Sequence, residues 1–217
     1  MASGNVLDNG KTLLDIGCGP GLYEYLFSSM VASIHCTDYS PGMIGRLKTE
    51  CARRGLSNIT VEIIAWEDMM PYNKYDIVFS SLCPALNDPG SLLRMEKFSE
   101  EWCVYISSAN PQPSMAAEVW SRIGSECSFR GYDTHYPYAF LKMRGRRPTI
   151  KFYSTSSEIT QTRDEACCSL IRYMSNYCSI TSEIERIIYG VVDSHASCGT
   201  VKQVRRLTLG MIFWHIQ

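Results

Sequence analysis

The chain has 217 residues, 45% of them hydrophobic and 20% charged, with a net charge of −1. That describes one ordinary soluble domain able to bury a substantial core, with no overall field favouring nucleic acid or an anionic membrane. No apolar run approaches the ~18 residues of a membrane span, and residues 1–11 are polar and short, unlike a signal peptide, so a cytoplasmic protein is expected. Ten cysteines stand at irregular spacings without a Cys-x-x-Cys pair or a Cys/His cluster at zinc spacing. The reading is buried reduced thiols and no metal site.

The first element is a short apolar strand at about 12–16, which ends in Asp15-Ile16 and then Gly17-Cys18-Gly19-Pro20-Gly21. Three glycines spaced two apart, opening a helix at about 21–30, mark a sharp strand-to-helix turn with its backbone bared for a ligand. The dinucleotide fingerprint Gly-x-Gly-x-x-Gly would need a glycine at 22, where this chain has Leu22. A strand at 32–37 follows and leads into Asp38-Tyr39-Ser40-Pro41-Gly42-Met43. Ser40 is the expected N-cap of a helix at 41–54, with Pro41 at its first position.

Strands at about 60–65, 75–81 and 102–108 alternate with helices at 90–99 and 113–127. Such alternation predicts a mostly parallel sheet with right-handed crossovers and helices on both faces. The third strand runs into Ala65-Trp66-Glu67-Asp68, and the fourth, beginning Tyr75-Asp76, ends in Ser80-Ser81-Leu82-Cys83-Pro84. Asp76, at the far end of its strand, reads as structural.

After 128 the rhythm changes. A helix is expected at 134–144, a strand around 150 and a last strand at about 204–216. Between these two strands, Thr162-x-x-Glu165 and Ser182-x-x-Glu185 announce two helices with capping boxes. Their apolar faces are Cys167, Leu170, Ile171, Met174 and Cys178, and Ile184, Ile187, Ile188, Val191 and Val192.

The segments 13–21 and 36–43 resemble the first two motifs of class I S-adenosylmethionine-dependent methyltransferases, and the resemblance extends more loosely over 12–109. It implies a doubly wound, mostly parallel seven-stranded sheet of order 3-2-1-4-5-7-6, the last strand antiparallel, in one domain spanning 1–217. Residues 12–109 would be the cofactor-binding core and 110–217 the acceptor-side and sheet-edge elements, with a helical insertion at about 160–198. It also implies S-adenosylmethionine as cofactor, cradled by Gly17, Cys18, Gly19 and Gly21. Asp15 would attract its ammonium through water, and Asp38 would take both ribose hydroxyls. Met43 would lie against the adenine and Trp66 would stack on or edge the ring, with Tyr39 also among the cofactor-binding residues. Glu67 or Asp68, or a backbone carbonyl, would meet its amino group, and Ser80 and Ser81 would stand where methyl donor and acceptor meet.

Family members usually carry helices before the first strand that help roof the site. Only 11 residues precede it here, so the expected roof is 128–148, 160–198, or a homodimer or partner subunit. The fourth strand does not end in the Asn/Asp-Pro-Pro-Tyr of enzymes that methylate nucleic-acid bases, which favours a small-molecule acceptor over nucleic acid. Methyl transfer from a sulfonium needs alignment more than acid–base help. A base, if used, would be His135, in the aromatic run Tyr132–Tyr138. The alternatives are a protein or RNA acceptor, steered by Lys142, Arg144, Arg146, Arg147 and Lys151, and a non-catalytic cofactor-binding subunit.

Overall fold

The structure, a computed structural model, describes residues 6–86, 88–109, 114–124, 134–175 and 178–216, without the side chains of residues 205 and 206. Tyr132, Asp133, the expected helix end at 125–127 and the roof residues 128–133 lie outside them. Inter-residue contacts divide the chain into two compact units.

The first unit comprises Met1–Ser108, Tyr132–Phe152 and Leu209–Gln217. Strands β1 (Thr12–Ile16), β2 (Ser33–Asp38), β3 (Ile59–Ile63), β4 (Tyr75–Ser81) and β5 (Ser99–Ala109) are joined through α1 (Glu24–Phe27), α2 (Pro41–Arg54) and α3 (Pro89–Lys97). The pairs β1–β2, β1–β4, β2–β3 and β4–β5 are all parallel. Helix α5 (His135–Met143) precedes β6 (Thr149–Thr162), and β8 (Thr200–His215) closes the chain. The sheet order is β3-β2-β1-β4-β5-β8-β6, with a two-residue β7 (Ala196–Ser197) paired to β8. The expected order therefore holds, and the eighth strand is the small β7. The end of β8 lies beside the start of β5, since the Ile216 amide donates to the Glu101 carbonyl and Trp102 meets Phe213 and His215. Farther back in β8, Gly210 abuts Thr134, which is bonded to Ser107 near the end of β5. The two strands thus run in opposite directions.

Both faces of this sheet are covered, so its central strands are continuous apolar runs rather than alternating ones. Leu14, Ile16 and Val78 join one core with Trp66, Met95, Phe98 and Trp214. Leu13, Ile77, Phe79 and Cys36 join the other with Phe27 and Leu47. Asp76 is structural as expected, because its Oδ2 accepts from the Thr12 amide and hydroxyl, both at 2.7 Å. Ser40 caps α2 from a β conformation with Pro41 at the first position. Helix α1 is far shorter than 21–30, since residues 21–23 still belong to the turn and 28–30 leave the helix.

The second unit, Ala109–Gly131 and Tyr153–Thr208, has its own core. Helices α4 (Met115–Arg122), α6 (Arg163–Met174) and α7 (Ser182–His195) bury Val119, Trp120, Cys167, Leu170, Met174, Ile188, Val191 and Val192. Thr162 and Glu165 form the expected reciprocal capping box. The second expected box does not form: Thr181, not Ser182, is the N-cap and accepts from the Ile184 amide at 3.3 Å, and Ile184 at the third position has no polar side chain to reciprocate. Arg163 grips Asp193 through Nε and Nη2, at 2.6 and 3.1 Å, and ties α6 to α7. Cys198 and Gly199, at φ of 50° and 74°, make the two-residue turn between β7 and β8, the double positive-φ pattern of a tight hairpin.

Candidate active site

Strand β1 is flanked by β2 on one side and β4 on the other, so the chain's path reverses there. Open α/β sheets bind ligands beyond the carboxyl ends of their strands at such a switch. The Gly17 and Cys18 amides both donate to the Thr37 carbonyl, at 2.8 and 3.0 Å, which pins the turn to β2. Gly17 has φ of 72°, and a Cβ there would run into the Cys83 side chain. Gly19, at φ of 59°, has nothing within 4 Å of its Cβ position, so its backbone faces open space. One glycine is demanded by close packing and the other leaves room for a guest.

Asp38 shapes this turn directly. Its Oδ2 accepts from the Gly19 amide at 3.0 Å and its Oδ1 from the Ser40 amide at 2.8 Å. A carboxylate offers about four acceptor positions, so roughly two remain for further donors, the number a vicinal diol supplies. Asp38 borders a cleft of about 270 Å³, walled by Ile16, Gly17, Tyr39, Ile64, Ala65, Trp66, Glu67, Cys83 and Ala85 among others. A largely apolar slot with the Asp38 and Glu67 carboxylates at its rim suits a nucleoside. The expected residues Gly17, Asp38, Tyr39, Trp66 and Glu67 are thus brought together.

Trp66 is 5% exposed and doubly anchored. Its ring lies 5.4 Å from that of Phe98, and the Arg94 guanidinium sits 4.3 Å from its centroid. Arg94 also donates to the Glu67 and Met69 carbonyls, at 3.2 and 2.7 Å, and so fixes the 3-10 turn Trp66–Asp68. Trp66 is therefore both core and wall. Asp68 borders a different cleft, with His35, Glu62 and Tyr75.

At the end of β4 the expectation changes in detail. Ser80 is fully buried and donates to the Ile16 carbonyl at 2.9 Å, locking β4 to β1. Ser81 donates to the Tyr23 hydroxyl at 3.0 Å. Neither borders the cleft, because the residues that do so from this segment are Cys83 and Ala85. Between them and the strand, Leu82 holds a φ of 52°, a left-handed conformation costly to a leucine. Nothing in the sequence marks Leu82, since its conformation follows from the strand's exit and from the hydrogen bond its amide donates to the Ile106 carbonyl. Burial pushes the Cys83 thiol up, against a nucleophilic thiolate.

Asp15 and Cys18 are not among the residues that line the cleft. Asp15 pairs across the ladder with Cys36 and is 2% exposed, outside the cleft's lining. Burial, then the neighbouring Glu24 carboxyl, holds Asp15 well above the usual carboxylate range. Glu24 was missed by the sequence reading, which offers only an acid near the start of a helix. Met43 is 37% exposed on α2 and is not among the cleft residues.

The basic run is largely engaged within the fold. Arg146 forks onto Glu96 at 2.8 and 2.7 Å, and Glu96 also accepts from the Trp214 indole at 2.9 Å. Lys142, Arg144 and Lys151 lie over the rings of Tyr138, Phe140 and Phe213. His135 is exposed at the start of α5, its ring 5.2 Å from that of Phe152.

Residues 13–95 match the sequence model of the methyltransferase domain. The aklanonic acid methyltransferase DauC of Streptomyces sp. (strain C5) is 36% identical over 76 residues, 33% of this chain and 34% of that one. The ubiquinone biosynthesis O-methyltransferase of Bradyrhizobium sp. (strain ORS 278) is 29% identical over 108 residues, 43% of this chain and 42% of that one. The matched stretches span about a third to just over half of the length of the curated relatives. The crystal structure of an S-adenosylmethionine-dependent methyltransferase from Aquifex aeolicus shares the fold, with a TM-score of 0.55 at 15% identity over 97% of this chain and 85% of that one. Residues 13–95 thus carry a methyltransferase domain, on the fold of S-adenosylmethionine-dependent methyltransferases. Among the described residues no helix is long and apolar enough to cross a membrane.

Proposed function

We propose that this protein transfers a methyl group from S-adenosylmethionine to a small-molecule acceptor. The observation that carries the reading is the Asp38 carboxylate, tied to the Gly19 amide and bordering the 270 Å³ cleft with acceptor capacity to spare. When bound, the cofactor supplies an activated sulfonium methyl. Asp38 would hold the ribose hydroxyls. Ile64, Ala65 and Trp66 would flank the adenine and keep water from it. The bare backbone at Gly17 and Gly19 would admit the remainder of the molecule.

Two matched relatives are named for methylation in the making of small molecules, which supports a small acceptor. The basic side chains already spent on Glu96 and on aromatic rings weaken the protein or RNA alternative. A second copy or partner subunit that completes the acceptor side belongs to the same proposal, as does a cytoplasmic setting, which the irregular cysteine spacing supports. Calorimetry with S-adenosylhomocysteine and with NAD tests the cofactor: binding of the first alone is expected, and binding of NAD alone would sink the reading. Methyl transfer from labelled cofactor to an extract of small metabolites tests the acceptor class. Label appearing only in protein or RNA would refute it.

A further inference from the structure

Beneath the glycine turn, on the opposite side of β1 and β2 from the cleft, lies a second group of chemistry-bearing side chains. A sulfur of Cys18, a sulfur of Cys36 and a carboxylate oxygen of Glu24 all lie within 4.8 Å of one another. Cys36 and Glu24 are 0% exposed. Apart from the neighbouring Asp15 carboxyl, neither Glu24 oxygen meets a hydrogen-bond donor. Its carboxyl neighbour, Asp15, is itself buried and adds a second acid. Among the described residues no Lys, Arg or His forms an ion pair with either acid.

A buried carboxyl with no donor aimed at it costs free energy unless a cation or a proton answers it. We infer that Cys18, Cys36 and Glu24 form a binding site for a soft divalent cation, zinc by preference, with Asp15 placed to complete it. Two sulfurs and one or two carboxylate oxygens are a donor set that selects zinc over calcium or magnesium. Tetrahedral zinc spaces such donors about 3.5–3.8 Å apart, so small side-chain rotations from the observed arrangement suffice. Loading replaces two S–H bonds with two S–Zn bonds and releases two protons to solvent, without any oxidant or reductant. The three ligands come from the turn, from β2 and from α1, so a bound ion would staple the glycine turn and β2, which border the cleft, to α1.

This site is independent of the acceptor and can be tested without activity. The full chain, with the exposed Cys168 and Cys198 changed to Ser to remove surface thiols, is loaded with zinc, desalted and analysed for metal. One zinc per chain is expected, with thiolate-to-metal charge-transfer absorption when cobalt replaces it. Cys36→Ser should lower zinc affinity by roughly a hundredfold or more, beyond the loss of an outer-shell partner. Glu24→Gln, nearly isosteric, should lower it by about tenfold or more while its melting profile shows a folded chain. No retained zinc in the parent, equal affinity in folded Glu24→Gln, or a Cys18–Cys36 disulfide recovered from cells in place of metal would each overturn the proposal.

Discussion

The two sides of the glycine turn place the same kind of side chain in opposite circumstances. On the cleft side, Asp38 is partly exposed and each oxygen receives a backbone amide. On the inner side, Asp15 is buried beside another acid and two thiols. Amides aimed at a carboxylate stabilise its ionised form, whereas burial beside a like charge opposes it. An acid at the end of a strand therefore does not declare its role by motif position. The donors pointed at it, and its access to water, decide whether it serves as a charged anchor or as a buried group that needs a counter-ion.

The sharpest way to break this contrast is Gly17→Ala. A positive φ costs an alanine about 1–2 kcal/mol, and the collision with Cys83 adds about 1–3 kcal/mol of overpacking. Denaturant unfolding should show that combined loss, and calorimetry should detect no cofactor binding. Asp38→Ala comes next. Losing hydrogen bonds to a charged group should weaken S-adenosylhomocysteine binding by about 1.5–3 kcal/mol, roughly ten- to a hundredfold. An unchanged dissociation constant would remove Asp38 from the cofactor site.

Asp15→Asn sharpens the comparison through pH. Because the folded-state value of Asp15 is raised, its contribution to stability is complete below the usual carboxylate range and is lost as pH climbs through the raised value. Metal-free wild type should lose stability over that window, and the Asn variant should not. Asp76 carries the opposite sign. Burial pushes its carboxyl up, but the Thr12 amide and hydroxyl outweigh that and hold it below the ordinary value. Asp76→Asn should therefore flatten a loss of stability that wild type shows as pH falls through the lowered value. The smallest effect is expected for Leu82→Gly. Relief of the left-handed strain and the greater freedom of the unfolded chain nearly cancel, so stability should change by less than about 1 kcal/mol.

Much of the fold was legible because the signals were local. Strand β1, strand β4 and helix α2 begin and end where apolar runs, Ser40 and Pro41 place them. The last long helix starts one residue earlier than its capping-box pattern implied because Thr181 and Ser182 are both competent caps, and with Thr181 as the cap the third position is Ile184, which cannot complete a box. Of the proposed cofactor residues, Asp38, Tyr39, Trp66 and Glu67 meet at the cleft, while Ser80 and Ser81 spend their hydroxyls within the fold. Whether a hydroxyl faces a guest or a neighbouring carbonyl depends on the twist and register of two strands, which spacing alone does not reveal.

By itself the sequence determined the alternation of elements and the glycine turn, since backbone preference and hydrophobic period act over short range, while the sheet order followed only from the resemblance to a family. Only the tertiary structure decided which acid meets amides and which is buried among thiols. That outcome rests on Glu24 and Cys36, separated in sequence from Asp15 but brought together with it when α1 and β2 close over the end of β1.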